Sequence, residues 1–141
     1  MSDTIRTKAS LKAFFETGDK PTQQEFADLI ESLAAFSTPY NAGNLAGPTA
    51  ALDYANGLFQ KAALTGNVSL NVPSSGVEGA RLELWLTASG ANRALDLNAS
   101  IKTPTDSAIS FPKTLTSGKS YDIVLRYNGS SWWLASLVGG F

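Results

Sequence analysis

Apolar positions change rhythm once along this chain, from a spacing of three to four residues before Pro39 to a spacing of two beyond Leu58. Leu11, Phe14 and Phe15 stand at i, i+3 and i+4, the stripe that one face of a helix presents, and Gly18 follows where a left-handed cap closes such a helix. Thr22 and Glu25 spell the T-x-x-E box that satisfies free N–H groups at a helix start, so a second helix is predicted from Gln23, with Pro21 placed to staple onto Phe26. Phe26, Leu29, Ile30 and Leu33 form its apolar face, Gln24, Asp28 and Glu31 its polar face, and Pro39 forbids continuation. The two helices are expected to pair as a hairpin within residues 1–39. Helices this short are marginal alone in water, so the stripe must be buried against something.

The run Tyr40 to Pro48 reads Y-N-A-G-N-L-A-G-P, a Gly, Asn and Pro cluster of the kind that separates structural units. A linker is expected over 40–57, with Thr49 capping a short helix through Leu52 and Ala55 that stops at Asn56-Gly57. From Leu58 the alternation is that of strands. Val68, Leu70 and Val72 precede Pro73; Leu82, Leu84 and Leu86 oppose Arg81, Glu83, Trp85 and Thr87 and lead to a turn at Ser89, Gly90 and Asn92. Leu95 and Leu97, then Ile109 and Phe111, give two shorter strands separated by a turn at Thr103 to Asp106. Tyr121, Ile123, Leu125 and Tyr127 alternate again, and Asn128-Gly129 predicts a tight hairpin into Trp133, Ala135 and Leu137. The fold class that follows is α+β, mainly β: a helical hairpin anchor, then an antiparallel β-sandwich or small barrel over 58–141. No internal repeat is visible.

Composition narrows the chemistry. Charged residues make up 16% of the 141, below the usual quarter, so the surface draws its polarity from Ser, Thr, Asn and Gly, which suits contact with neighbouring subunits. A net charge of -1, with no Lys/Arg run among aromatics, makes nucleic acid an unexpected partner. Histidine and cysteine are both absent, which removes imidazole bases, Ser-His-Asp triads, thiolate nucleophiles and the common zinc sites. Neither a metal nor a cofactor is expected. Ser117-Gly118-Lys119-Ser120 lacks the first glycine of a phosphate-binding loop and reads as a turn. Glu78, Glu83, Asp96, Asp106 and Asp122 could supply the two carboxylates of a glycosidase, but they are scattered, and solvated strand edges are the stronger reading. A non-enzymatic protein is therefore expected. The start of the chain lacks the apolar core of a secretory signal, and no apolar run approaches the roughly 20 residues that span a bilayer, so the expectation is a cytosolic product without a membrane partner. Asn67, Asn98 and Asn128 each head an Asn-x-Ser triplet and read as turn chemistry.

Trp85, Trp132 and Trp133 carry the most distinctive surface chemistry. Adjacent Trp132 and Trp133 must face opposite sides of a strand, so one belongs to the core and the other, with Trp85, is available for subunit contact or for stacking on a sugar ring. Subunit contact is the stronger of the two readings.

The stretch Thr7 to Leu33, with its T-G-D-x-P-T-x-x-x-F-x-x-L-I core, resembles a segment near the start of many bacteriophage tail and fibre proteins. The second half looks like the β-domains of phage virion proteins at L-T-G-N-V-S-L (Leu64 to Leu70), R-L-E-L-W-L (Arg81 to Leu86) and Y-N-G-S-S-W-W-L (Tyr127 to Leu134). The resemblance implies a virion component assembled in the host cytoplasm, commonly a homotrimer with other virion proteins as partners. Leu11, Phe14, Phe15, Phe26, Leu29, Ile30 and Leu33 would then anchor the chain or join its copies, leaving the β-domain displayed. A short tail fibre or appendage and a capsid (head) decoration are both open, because the repetitive shaft of a long fibre is missing. The alternative function is a carbohydrate- or receptor-binding β-module for host attachment, with a host surface glycan as partner.

Overall fold

The computed structural model describes residues 6, 8–16, 18, 20–34 and 38–141. Thr7, Thr17 and Asp19 of the phage-like motif lie outside the described residues. The chain divides into two compact units, Met1–Pro39 and Tyr40–Phe141.

In the first unit, α1 spans Lys8–Ala13 and α2 spans Gln23–Ala34. The capping box is formed reciprocally: the Thr22 N–H donates to Glu25 Oε2 at 2.6 Å and the Glu25 N–H to Thr22 Oγ1 at 3.2 Å. Thr22→Ala removes one half of that box and is expected to cost about 1 kcal/mol of helix stability, read as lost ellipticity at 222 nm with the β-unit unchanged. Phe15 and Phe26 meet edge to face, ring centroids 5.9 Å apart.

The burial of α2 departs from its amphipathic pattern. Asp28 and Ser32, one turn apart, are buried, while Phe26, Ile30 and Leu33 stand 48%, 65% and 60% exposed. Asp28 is satisfied by Arg6 Nε at 2.7 Å and Gln24 Nε2 at 3.0 Å, and the Ser32 hydroxyl donates to the Asp28 carbonyl at 2.6 Å. A buried carboxylate with that many donors is stable where it is, so Asp28 leaves the polar face assigned to it from periodicity.

The second unit is built from nine strands in two mixed sheets. The larger sheet holds β1 (Tyr40–Leu45), β3 (Phe59–Leu64), β5 (Arg81–Ala88), β8 (Ser120–Tyr127) and β9 (Trp132–Gly139), side by side in that order. The smaller holds β2 (Thr49–Ala50), β4 (Val68–Leu70), β6 (Arg93–Leu97) and β7 (Lys113–Leu115). The chain shuttles between them: β1, β3 and β5 stack in parallel in one sheet, β2, β4 and β6 in the other. Parallel neighbours need a long return path, and strands of the other sheet supply it in place of a helix. Only β7, β8 and β9 enter antiparallel, against β6, β5 and β8 respectively.

This coil corrects the all-antiparallel expectation, and it also corrects the linker. Tyr40–Leu45 is an edge strand on β3, and Thr49 pairs with Ser69 instead of capping a helix. The short helical turn exists as a 3-10 turn at Tyr54–Asn56, capped by Asp53, whose Oδ1 accepts from the Ala55 N–H at 3.0 Å. Buried Gln60 donates to the carbonyls of Asp53 at 2.7 Å and Gly57 at 3.0 Å, fastening that turn to β3. Ile109 and Phe111 lie in no strand; both pack against the core from a loop, and the ladder is made by Lys113–Leu115. Leu64, Leu70, Leu84, Leu95, Leu115, Ile123 and Leu125, drawn from both sheets, form one core with Leu52 from the loop after β2.

Candidate functional site

The outer face of the larger sheet carries both exposed tryptophans of the second unit. Strand alternation sends Leu82, Leu84 and Leu86 inward and Arg81, Glu83, Trp85 and Thr87 outward. Register then fixes transverse rows: Asn41, Lys61, Trp85, Asp122 and Val138 in one, Arg81, Arg126 and Trp133 in another. Trp85 and Trp133, 47% and 49% exposed, thus share a face, roughly 16 Å apart by strand spacing. Trp132 points the other way and is buried between Tyr54 and Tyr127, with ring centroids 6.2 Å and 5.2 Å away.

A bulge decides what the last strand shows. Leu125 pairs with Leu134 but Val124 with Ser136, so Ala135 is the extra residue and the alternation reverses after it. Trp132 and Leu134 point inward before the bulge and Leu137 packs on the core after it, so Trp133, Ala135 and Leu137 do not form one face as their spacing predicts.

Each exposed indole borders a hollow of opposite character. Beside Trp85, braced edge to face by Phe59 at 4.5 Å, an open hollow of about 440 Å³ is lined by Glu83, Asp122, Ser120, Tyr121 and Phe141. The sequence left these two acids scattered; adjacent strands bring them to one wall. Glu83 is engaged by Arg81 Nη2 at 3.1 Å. Among the described residues Asp122 Oδ1 is buried without a hydrogen-bond partner, and burial, reinforced by the negative charge of Glu83 and opposed by Arg81, raises its pKa above the ordinary carboxylate value. A raised folded-state pKa means that ionisation works against the fold: the contribution is present below the ordinary value of 3.8 and lost as pH rises through the elevated one. Asp122→Asn should therefore flatten that part of the pH–stability curve, and urea titrations of both proteins across mildly acidic pH check it. Asp53, whose pKa is lowered chiefly by the Ala55 N–H, contributes the opposite slope in both proteins and cancels in the comparison.

Beside Trp133, the hollow measures about 580 Å³ and is lined by Lys102, Thr103, Pro104 and Arg126, with no carboxylate among the described residues. Lys102 reaches it because its backbone forms a bridge to Trp133, donating to the Trp132 carbonyl and accepting from the Leu134 N–H, both at 2.8 Å. Nothing in its spacing marked Lys102, since a lone bridge from a loop has no alternation. A third hollow, of about 590 Å³, lies over the buried Trp132 and is rimmed by Ser75, Ser100, Ser130 and Ser131.

In the first unit, Phe15, Phe26, Ile30 and Leu33 are exposed and Leu11, Phe14 and Leu29 half-buried. Among the described residues no three His, Cys, Asp or Glu side chains gather as a metal site would require, and no helix is long and apolar enough to cross a membrane. No protein-family model matches the chain, and no curated protein matches it significantly.

Proposed function

We propose that this chain is a non-enzymatic structural protein of a bacteriophage particle, joined to copies of itself and to the virion through its N-terminal helices and displaying its β-unit as a sandwich-like head. The observation that carries the reading is the exposed row Phe26, Ile30 and Leu33 on a helix whose buried residues, Asp28 and Ser32, are polar. Large apolar side chains in a row on a short helix are the sign of a protein contact. The phage-like spacing of Thr7 to Leu33 surrounds the same residues. A homotrimer gives each copy of the stripe a symmetric partner. Light scattering across a hundredfold concentration range tests it: a mass three times that of the chain is expected, and a monomer throughout overturns the trimer. Labelling of intact particles with an antibody to the β-unit tests the location, whether short tail fibre, appendage or capsid decoration.

A second reading, a receptor-binding β-module for host attachment, is favoured by Trp85 and Trp133 sharing one exposed sheet face. Hydrolysis by Glu83 and Asp122 is the weaker use of that face: Glu83 is tied to Arg81, and an open hollow gives a substrate no shelter from water.

A further inference from the structure

We infer that the hollow at Trp133 is a binding site for an anionic saccharide: the indole stacks on a pyranose ring while Arg126 and Lys102 hold its carboxylate, sulfate or phosphate. This rests on the receptor-binding reading of the sheet face and assigns that reading a ligand class and a place.

The argument begins with register. Arg126 is the direct cross-strand partner of Trp133 on β8, and Lys102 is its bridge partner on the other side. Directly paired residues project to the same side of a sheet with Cβ atoms about 5 Å apart, so the indole sits between two cations. Arg81 lies next in the row beyond Arg126, but its charge is spent on Glu83 at 3.1 Å. Arg126 and Lys102 make no ion pair among the described residues, and no acid lines the hollow. The two positive charges flank the indole from either side, and an anion seated over the ring lies within reach of both. Arginine offers a planar pair of donors to a carboxylate or phosphate, and lysine a compact charge beside it.

The indole decides between kinds of anion. A half-exposed flat ring offers an apolar face to the C–H side of a sugar, and Thr103 adds a hydroxyl at the rim. The volume lies within the range of small-ligand sites, about 300–1,000 Å³. A nucleic-acid strand needs a basic stripe several phosphates long, and here the row offers only Arg126 and Lys102 as free cations, Arg81 beside them being paired with Glu83. The backbone holding Lys102 and Trp133 is fixed by the two 2.8 Å bonds, so the frame of the site is in place before ligand arrives.

Calorimetry on the purified full chain tests the inference, with glucuronic acid, digalacturonic acid, N-acetylneuraminic acid and glucose 6-phosphate as acidic probes, and glucose and galactose as neutral ones. At least one acidic probe should bind saturably, weaken as salt is raised, and exceed its neutral counterpart by about tenfold or more, the worth of one charge-assisted hydrogen bond. Trp133→Ala and Arg126→Gln should each lose about that factor while keeping the wild-type circular dichroism spectrum, and Trp85→Ala should bind as the wild type does. Equal binding of neutral and acidic sugars overturns the assignment and leaves the receptor-binding face standing; no binding by any probe removes both. Undiminished binding by the Trp133 and Arg126 variants moves the ligand elsewhere and overturns the site. A phosphoserine peptide bound as tightly as the best sugar overturns the saccharide.

Discussion

Trp132→Ala is expected to destabilise the β-unit by about 3–5 kcal/mol, the range for emptying a large aromatic site in a core. Trp132 is 2% exposed, contacts the rings of Tyr54 and Tyr127, and lies so close to Gly76 that a Cβ there would stand 2.8 Å from its ring. It therefore ties β9 to β8, to the 3-10 turn and to the loop after β4. Deleting the ring leaves a cavity between elements that hydrogen bonds elsewhere hold apart, so the site cannot collapse fully. Against a typical total of about 5–15 kcal/mol the loss is a large fraction, and the urea midpoint should fall sharply. Trp133→Ala, one residue on, should cost clearly less, because about half of that residue already meets water. Equal losses at the two positions would mean that the assignment of faces is wrong. Gly76→Ala probes the same contact from the other side, since its methyl must displace the indole.

The contrast between the two tryptophans shows what could be read from residues alone. That adjacent side chains oppose each other follows from strand geometry; which of them is inside depends on the bulge at Ala135, which has no sequence mark of its own. Leu82, Leu84 and Leu86, and Tyr121, Ile123 and Leu125, were legible because strict alternation beside a core needs no knowledge of partners. The Thr22–Glu25 box was legible because it is closed within four residues.

Pairing direction was not legible. Whether β3 lies beside β1 and β5 or beside β4 is decided by packing between segments about twenty or more residues apart, and short apolar runs fit either arrangement. Tyr40–Leu45 hid for a different reason: it is an edge strand whose Asn and Gly positions face water, so it has the composition of a linker while its backbone serves the ladder. Three neighbouring strands share backbone register without sharing side chains: Tyr40, Gln60 and Leu84 occupy equivalent places. For the candidate site, Trp85 and Trp133 could be named from the strands that carry them, but Lys102 and the joining of Glu83 to Asp122 are products of the tertiary register.

Ile30→Asp with Leu33→Asp is expected to convert the proposed trimer to monomers while leaving the monomer fold intact. The two side chains are 65% and 60% exposed and three residues apart, so in a lone chain the change exchanges solvated apolar groups for solvated carboxylates, worth no more than about 0.5 kcal/mol each. In an assembly that covers the stripe the balance differs. Each buried Ile or Leu contributes about 1.5–3 kcal/mol, and a carboxylate forced into its place without a partner costs several more. Loss of even the apolar contribution alone shifts association by about three orders of magnitude. Sedimentation of the double variant should give a single species of the chain's own mass, with an unchanged circular dichroism spectrum. Glu31→Ala, between the two and also exposed, should still assemble. A double variant that sediments with the wild type would show that the copies meet through some other surface, and the outer sheet face with Trp85 would then be the next place to mutate.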